Sequence, residues 1–175
     1  MREFVAVDVG QDAASGRSHA APHLTLRFLG EVAPERNPGI AGLLADVARS
    51  SPPFILRLEG VGAFPGPSRP RVVWVGVTRG RADLQELARR VRVALEPEFG
   101  PEREEFVPHL TLFRVRSPRD HEAATELLSG TRPAPPPREV AVGELLLKES
   151  VLGPGGVDHR TLASFRLAGA PASPR

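Results

Sequence analysis

The residues best equipped for chemistry lie in two identical pentapeptides, Pro22-His23-Leu24-Thr25-Leu26 and Pro108-His109-Leu110-Thr111-Leu112. Their histidines are 86 positions apart (109 − 23) in a chain of 175 residues. Each copy alternates in a pattern that favours a strand, where side chains two apart share a face. His23 with Thr25, and His109 with Thr111, are therefore expected to present an imidazole and a hydroxyl side by side. Leu24, Leu26, Leu110 and Leu112 would pack behind them. One imidazole can take a proton from a nucleophile while the other gives one to a leaving group, both near neutral pH. The two hydroxyls can donate hydrogen bonds to a phosphoryl oxygen as charge builds there. The chemistry this suits is in-line attack on a phosphodiester.

Other chemistries fit the pattern less well. A metal held by the two histidines needs a third ligand nearby. Glu31 and Glu105 are the nearest carboxylates, and neither shares the motif spacing, so no metal is expected. No lysine or terminal amine is placed to activate either threonine as a nucleophile. The absence of cysteine excludes disulfides, thiolate metal sites and a cysteine nucleophile.

Composition adds bounds rather than a function. The net charge is +2 while the sequence pI is about 10.2. With no Tyr, no Cys and a single lysine, Lys148, almost nothing titrates between neutral pH and the guanidinium range. The high pI is thus weak evidence for nucleic-acid binding. The preponderance of Arg suits phosphate recognition, although coding bias produces the same excess. No apolar run approaches the roughly 20 residues of a membrane span, and the start does not read as a signal peptide. A soluble, cytoplasmic protein is expected.

Strands are expected over 3–9, 22–29, 54–64, 71–78, 105–116, 140–149 and 159–167. Helices are expected over 34–49, with Ile40, Leu43, Leu44 and Val47 as the apolar stripe, over 81–95, and from Pro118 to near Gly130. Residues 10–21 read as a loop with one helical turn at Asp12–Ser15, 131–138 as an extended connector, and 169–175 as a disordered tail. Mixed elements with short links argue an α+β fold with largely antiparallel sheets. One motif in each half suggests two pseudo-symmetric lobes facing each other across a central cleft, within a single domain over 1–168.

The chain resembles the two-histidine (2H) phosphoesterases, and among them the RNA 2′,3′-cyclic phosphodiesterases, also called 2′-5′ RNA ligase-like proteins. The carriers are His-Leu-Thr-Leu-Arg-Phe-Leu-Gly at 23–30 and Pro-His-Leu-Thr-Leu at 108–112. Supporting stretches are Gly62-Ala63-Phe64-Pro65 leading to 69–74, and 152–156 near the end. The resemblance implies the bilobal fold and metal-independent opening of a 2′,3′-cyclic phosphate to a 2′-phosphate end. It also implies that His23 protonates the leaving 3′ oxygen, His109 activates water, and Thr25 and Thr111 hold the phosphate. RNA ends or cyclic nucleotides would be the substrates, met by a monomer with no cofactor and no membrane. End joining, hydrolysis of other cyclic or 2′-5′-linked nucleotides, and a catalytically weak RNA-end binder remain open alternatives.

Several positions depart from the family pattern. Relatives usually carry a full helix where residues 10–21 stand, and twelve residues are too few for it. Strict alternation puts Arg27 on the His23 face, where it can meet a phosphate, or leaves it a solvated strand-end charge. Alternation also turns Phe113 into the cleft, either to stack on a base or to fill space. Arg114 then points away and reaches a phosphate only if a bulge re-aims it. A third His-x-Thr-Leu at 159–162 lacks the preceding Pro and reads as coincidence or a rim position. Trp74 reads as core.

Overall fold

A computed structural model describes residues 2–10, 22–102, 104–153 and 156–170. The strands are β1 (Arg2–Asp8), β2 (His23–Glu31), β3 (Phe54–Phe64), β4 (Val72–Arg79), β5 (His109–Arg114), β6 (Arg138–Val142), β7 (Glu144–Gly153) and β8 (Gly156–Arg166). The helices are α1 (Asn37–Ser50), entered through a 3₁₀ turn at Pro34–Arg36, α2 (Arg81–Phe99) and α3 (Pro118–Ser129). The loop expected at 10–21 and the tail expected at 169–175 lie largely outside the described residues. No described helix is long and apolar enough to cross a membrane.

Two four-stranded sheets form, in the orders β2-β1-β7-β8 and β5-β4-β3-β6, and the pairings in both are antiparallel. The fold is therefore α+β with two lobes. Each motif strand is an edge strand of its own sheet, and β2 and β5 lie in contact. The duplication seen in the sequence becomes a duplication in space, with the two His-x-Thr strands along the seam between the sheets.

One strand was expected over 140–149, and the structure divides that stretch at Gly143. β6 pairs with β3 in the second sheet, whereas β7 pairs with β1 in the first. A continuous strand cannot serve two sheets, and the chain crosses from lobe to lobe at this glycine.

The helices cover one side of both sheets. Ile40, Leu44, Val47 and Ala48 of α1 and Leu84, Leu87, Ala88, Val91 and Leu95 of α2 are buried. They share one core with Val5, Val7, Leu24, Leu26, Leu56, Leu58, Val75, Val77, Leu110, Leu145 and Leu147. A smaller cluster joins Ala124 and Leu127 of α3 to Val73 and Phe113. α3 begins with a capping box, in which the Ser117 hydroxyl accepts from the Asp120 amide and the Asp120 carboxylate accepts from the Ser117 amide. α2 continues past its last core leucine, Leu95, through Pro97 to Phe99. Gly100, at φ +74°, then closes the helix by donating to the Glu96 carbonyl. With the helices on one side, the opposite faces of both sheets are left to the motif residues.

Candidate active site

Register fixes which side chains share that face. In β2, His23 pairs with Asp8, Thr25 with Ala6, and Phe28 with Phe4. Phe4, Ala6 and Asp8 alternate along β1, so His23, Thr25 and Phe28 lie on one face. One residue separates His23 from Thr25, but two separate Thr25 from Phe28. The ladder shifts between Val5 and Ala6, leaving Leu26 as the extra residue of a β-bulge. A bulge sends two consecutive side chains to the same side. Leu26 and Arg27 both point to the helix side, and Phe28 takes the motif face.

β5 repeats this geometry. His109 pairs with Gly76, Thr111 with Trp74, and Arg114 with Val72, the ladder shifting past Leu112. Leu112 and Phe113 both turn toward the helices, and Arg114 is brought onto the face of His109 and Thr111. The two bulges occupy equivalent positions, three residues after each histidine. The fifth residue after each histidine, Phe28 in one lobe and Arg114 in the other, reaches the site.

These bulges correct two expected placements and resolve a third. Arg27 is not on the His23 face. It is 3% exposed and donates through Nη1 to the Arg92 carbonyl (2.7 Å) and through Nη2 to the Gly100 carbonyl (2.6 Å). Burial lowers its pKa, partly offset by Glu102. Its geometry is that of a strut between the first motif strand and the C-terminal half of α2. Phe113 is likewise away from the motif face, packed with Val73, Ala124 and Leu127. Arg114 takes the re-aimed position and is exposed.

Each catalytic candidate has its own aromatic setting. His109 donates from Nδ1–H to the Val107 carbonyl at 2.7 Å when Nδ1 carries the proton. That tautomer leaves Nε2 as a lone-pair acceptor. Phe64 meets the His109 ring edge-on at 4.9 Å, and Trp74 lies 5.3 Å from Phe64. Trp74 is thus half-buried beside the site rather than in the core. It lies across Gly62, where a Cβ would overlap its six-membered ring. On the other lobe, Phe4 lies 5.0 Å from the His23 ring.

Two further residues on this face are not foreseen by the sequence pattern. Phe28 is 66% exposed and lies 6.1 Å from Phe4. Lys148, the chain's single lysine, is buried opposite Phe4, with Nζ 3.1 Å from the Thr161 hydroxyl and 3.4 Å from the Asp8 carboxylate. Its singularity in an Arg-rich chain is the one signal that could have marked it. His159, expected as a coincidence or a rim position, lies on β8 and packs directly against His23, with ring centroids 4.8 Å apart. Among the described residues no cluster of three or more His, Asp or Glu could hold a metal ion.

The model of the 2′-5′ RNA ligase superfamily matches residues 5–151. The chain belongs to this superfamily. This 2H phosphoesterase is 38% identical over 147 residues to the RNA 2′,3′-cyclic phosphodiesterase of Aeropyrum pernix, covering 83% of this chain and 82% of that protein. It is 34% identical over 183 residues to the RNA 2′,3′-cyclic phosphodiesterase of Archaeoglobus fulgidus, covering 94% and 99%. Among solved structures, TT0787 of Thermus thermophilus is similar with a TM-score of 0.73 at 29% identity, over 97% of this chain and 99% of that one. Escherichia coli LigT complexed with 3′-AMP is similar with a TM-score of 0.71 at 28% identity, over 95% and 97%.

Proposed function

We propose that this 2H phosphoesterase is an RNA 2′,3′-cyclic phosphodiesterase, opening the cyclic ester to a 2′-phosphate end. The observation that carries the reading is the pairing of two His-x-Thr faces on adjacent edge strands, each followed by the same bulge. His109 acts as the base, because the Val107 carbonyl favours the tautomer with a free lone pair on Nε2. It takes a proton from water as the oxygen attacks phosphorus. His23 acts as the acid and delivers a proton to the departing 3′ oxygen, so one proton is taken up and one released in each turnover. Thr25 and Thr111 donate to the non-bridging oxygens, and Arg114 neutralises the charge that builds on them. No metal takes part in this scheme.

The site is polar on one lobe and aromatic on the other at equivalent positions. Phe28 offers a ring face to the nucleobase, and Arg114 offers a cation to the phosphate. The test is incubation with an oligonucleotide ending in a 2′,3′-cyclic phosphate, in the presence of EDTA, with the product end mapped. A 2′-phosphate product is expected. A 3′-phosphate product, a joined strand, or activity abolished by EDTA would overturn the reading.

A further inference from the structure

Building on that reading, we propose that His159 is a positioning residue for His23: a third imidazole that holds the His23 ring against Phe4.

Three rings from three strands meet here. His23 and His159 lie 4.8 Å apart with planes at 78°, and Phe4 lies 5.0 Å from His23 and 5.1 Å from His159. Each ring touches the other two, so none can swing about χ1 without breaking a contact. Register holds the triangle together: Phe4 pairs with Lys148 on β7, and Ser150, two residues along β7, pairs with His159. Edge-to-face ring pairs of this kind are directional, which a filled apolar space is not. A rotamer change at His23 would take its proton away from the leaving oxygen, and the His159 ring blocks one such path.

The charge state follows from the surroundings. The groups around His159 are Lys148 on β7, Asp8 on β1, Asp158 on β8, Arg114 on β5 and His23 on β2. Nδ1 of His159 is buried with no hydrogen-bond partner among the described residues. Protonating it would bury an unpaired donor. Burial lowers the His159 pKa first and Lys148 adds to this, while Asp158 opposes and Arg114 adds again. Two imidazoles in contact resist double protonation. With its pKa held below the ordinary imidazole value, His159 is biased toward the neutral ring. An uncharged aromatic ring should then substitute for it.

His159→Ala is expected to lower kcat on a 2′,3′-cyclic nucleotide about tenfold, the order of one lost oriented ring contact, with KM within about twofold. His159→Phe should recover most of kcat. In an NMR titration, with the His23 signal assigned by its loss in His23→Ala, the His23 Cε1–H resonance should move in two steps. The lower step reports His159 taking its proton and should vanish in His159→Phe. The proposal is overturned by wild-type turnover in His159→Ala, by a loss confined to KM, or by a folded His159→Phe no better than His159→Ala. A one-step His23 titration in the wild type also overturns it. The titration needs no substrate, so it tests the ring triangle even if the cyclic ester is not turned over. That latter failure falls on the substrate assignment alone.

Discussion

Arg27→Ala separates the bulged geometry from simple alternation, because the two assign this residue opposite jobs. On an alternating strand Arg27 would face the phosphate, and its loss would raise KM while leaving stability almost unchanged. In the bulged strand it is 3% exposed and bridges the Arg92 and Gly100 carbonyls at 2.7 and 2.6 Å. A hydrogen bond from a charged donor contributes about 1.5–3 kcal/mol, and carbonyls left unpaired cost more. Relief from burying the guanidinium offsets part of this, giving a loss of about 3–5 kcal/mol. At roughly 2–4 °C per kcal/mol for a chain of this size, the melting temperature should fall by about 10 °C. Thermal unfolding by circular dichroism reads the shift, and kinetics well below the transition read KM. A large rise in KM with an unchanged melting temperature would refute the strut and restore Arg27 to the phosphate.

Other perturbations test the remaining parts of the site. Gly62→Ala should displace Trp74, and with it Phe64 and His109, lowering kcat more than tenfold; intrinsic Trp fluorescence should shift with the activity. Phe28→Ala should raise KM for a cyclic nucleotide about tenfold, as expected for one lost base–ring stack; it should leave KM for the base-free ribose cyclic phosphate unchanged. Glu3 is 1% exposed and burial raises its pKa, the Asn37 side chain offsetting only part. A carboxyl that binds its proton more tightly when folded destabilises the fold above that raised pKa. Stability is recovered as pH falls through the folded value toward the ordinary carboxylate range. Glu3→Gln should therefore stabilise the protein at pH 7, and denaturant titrations should show the gain shrinking as pH approaches about 4.

Much of this architecture can be read from residue order. The apolar stripe of α2, at Leu84, Leu87, Ala88, Val91 and Leu95, is buried as its spacing predicts. So are Leu24, Leu26 and Leu110 behind the motif residues. The bulges are not legible in the same way, because a bulge is a property of two paired strands and β2 alone gives no sign of it. Alternation accordingly assigns Arg27 and Phe113 to the wrong face and passes over Phe28. The division at Gly143 is hidden for a related reason: strand-forming apolar residues stand on both sides of it, at 140–142 and 145–147, and nothing local marks the change of partner sheet. The His159 contact joins residues 136 positions apart (159 − 23). Only the sheet order β2-β1-β7-β8 brings them together, and local pattern holds no information about it.

The central claim is that His23 and His109 act on one phosphorus atom. Hydrolysis of a 2′,3′-cyclic phosphate by His23→Ala, His109→Ala and the double variant tests it most directly. Each single variant should lose about 10²–10⁴-fold in kcat/KM while remaining folded. The double variant should be little worse than the poorer single one, as expected of groups that work as a unit. A wild-type rate in either single variant, or losses that simply multiply in the double, would contradict the account.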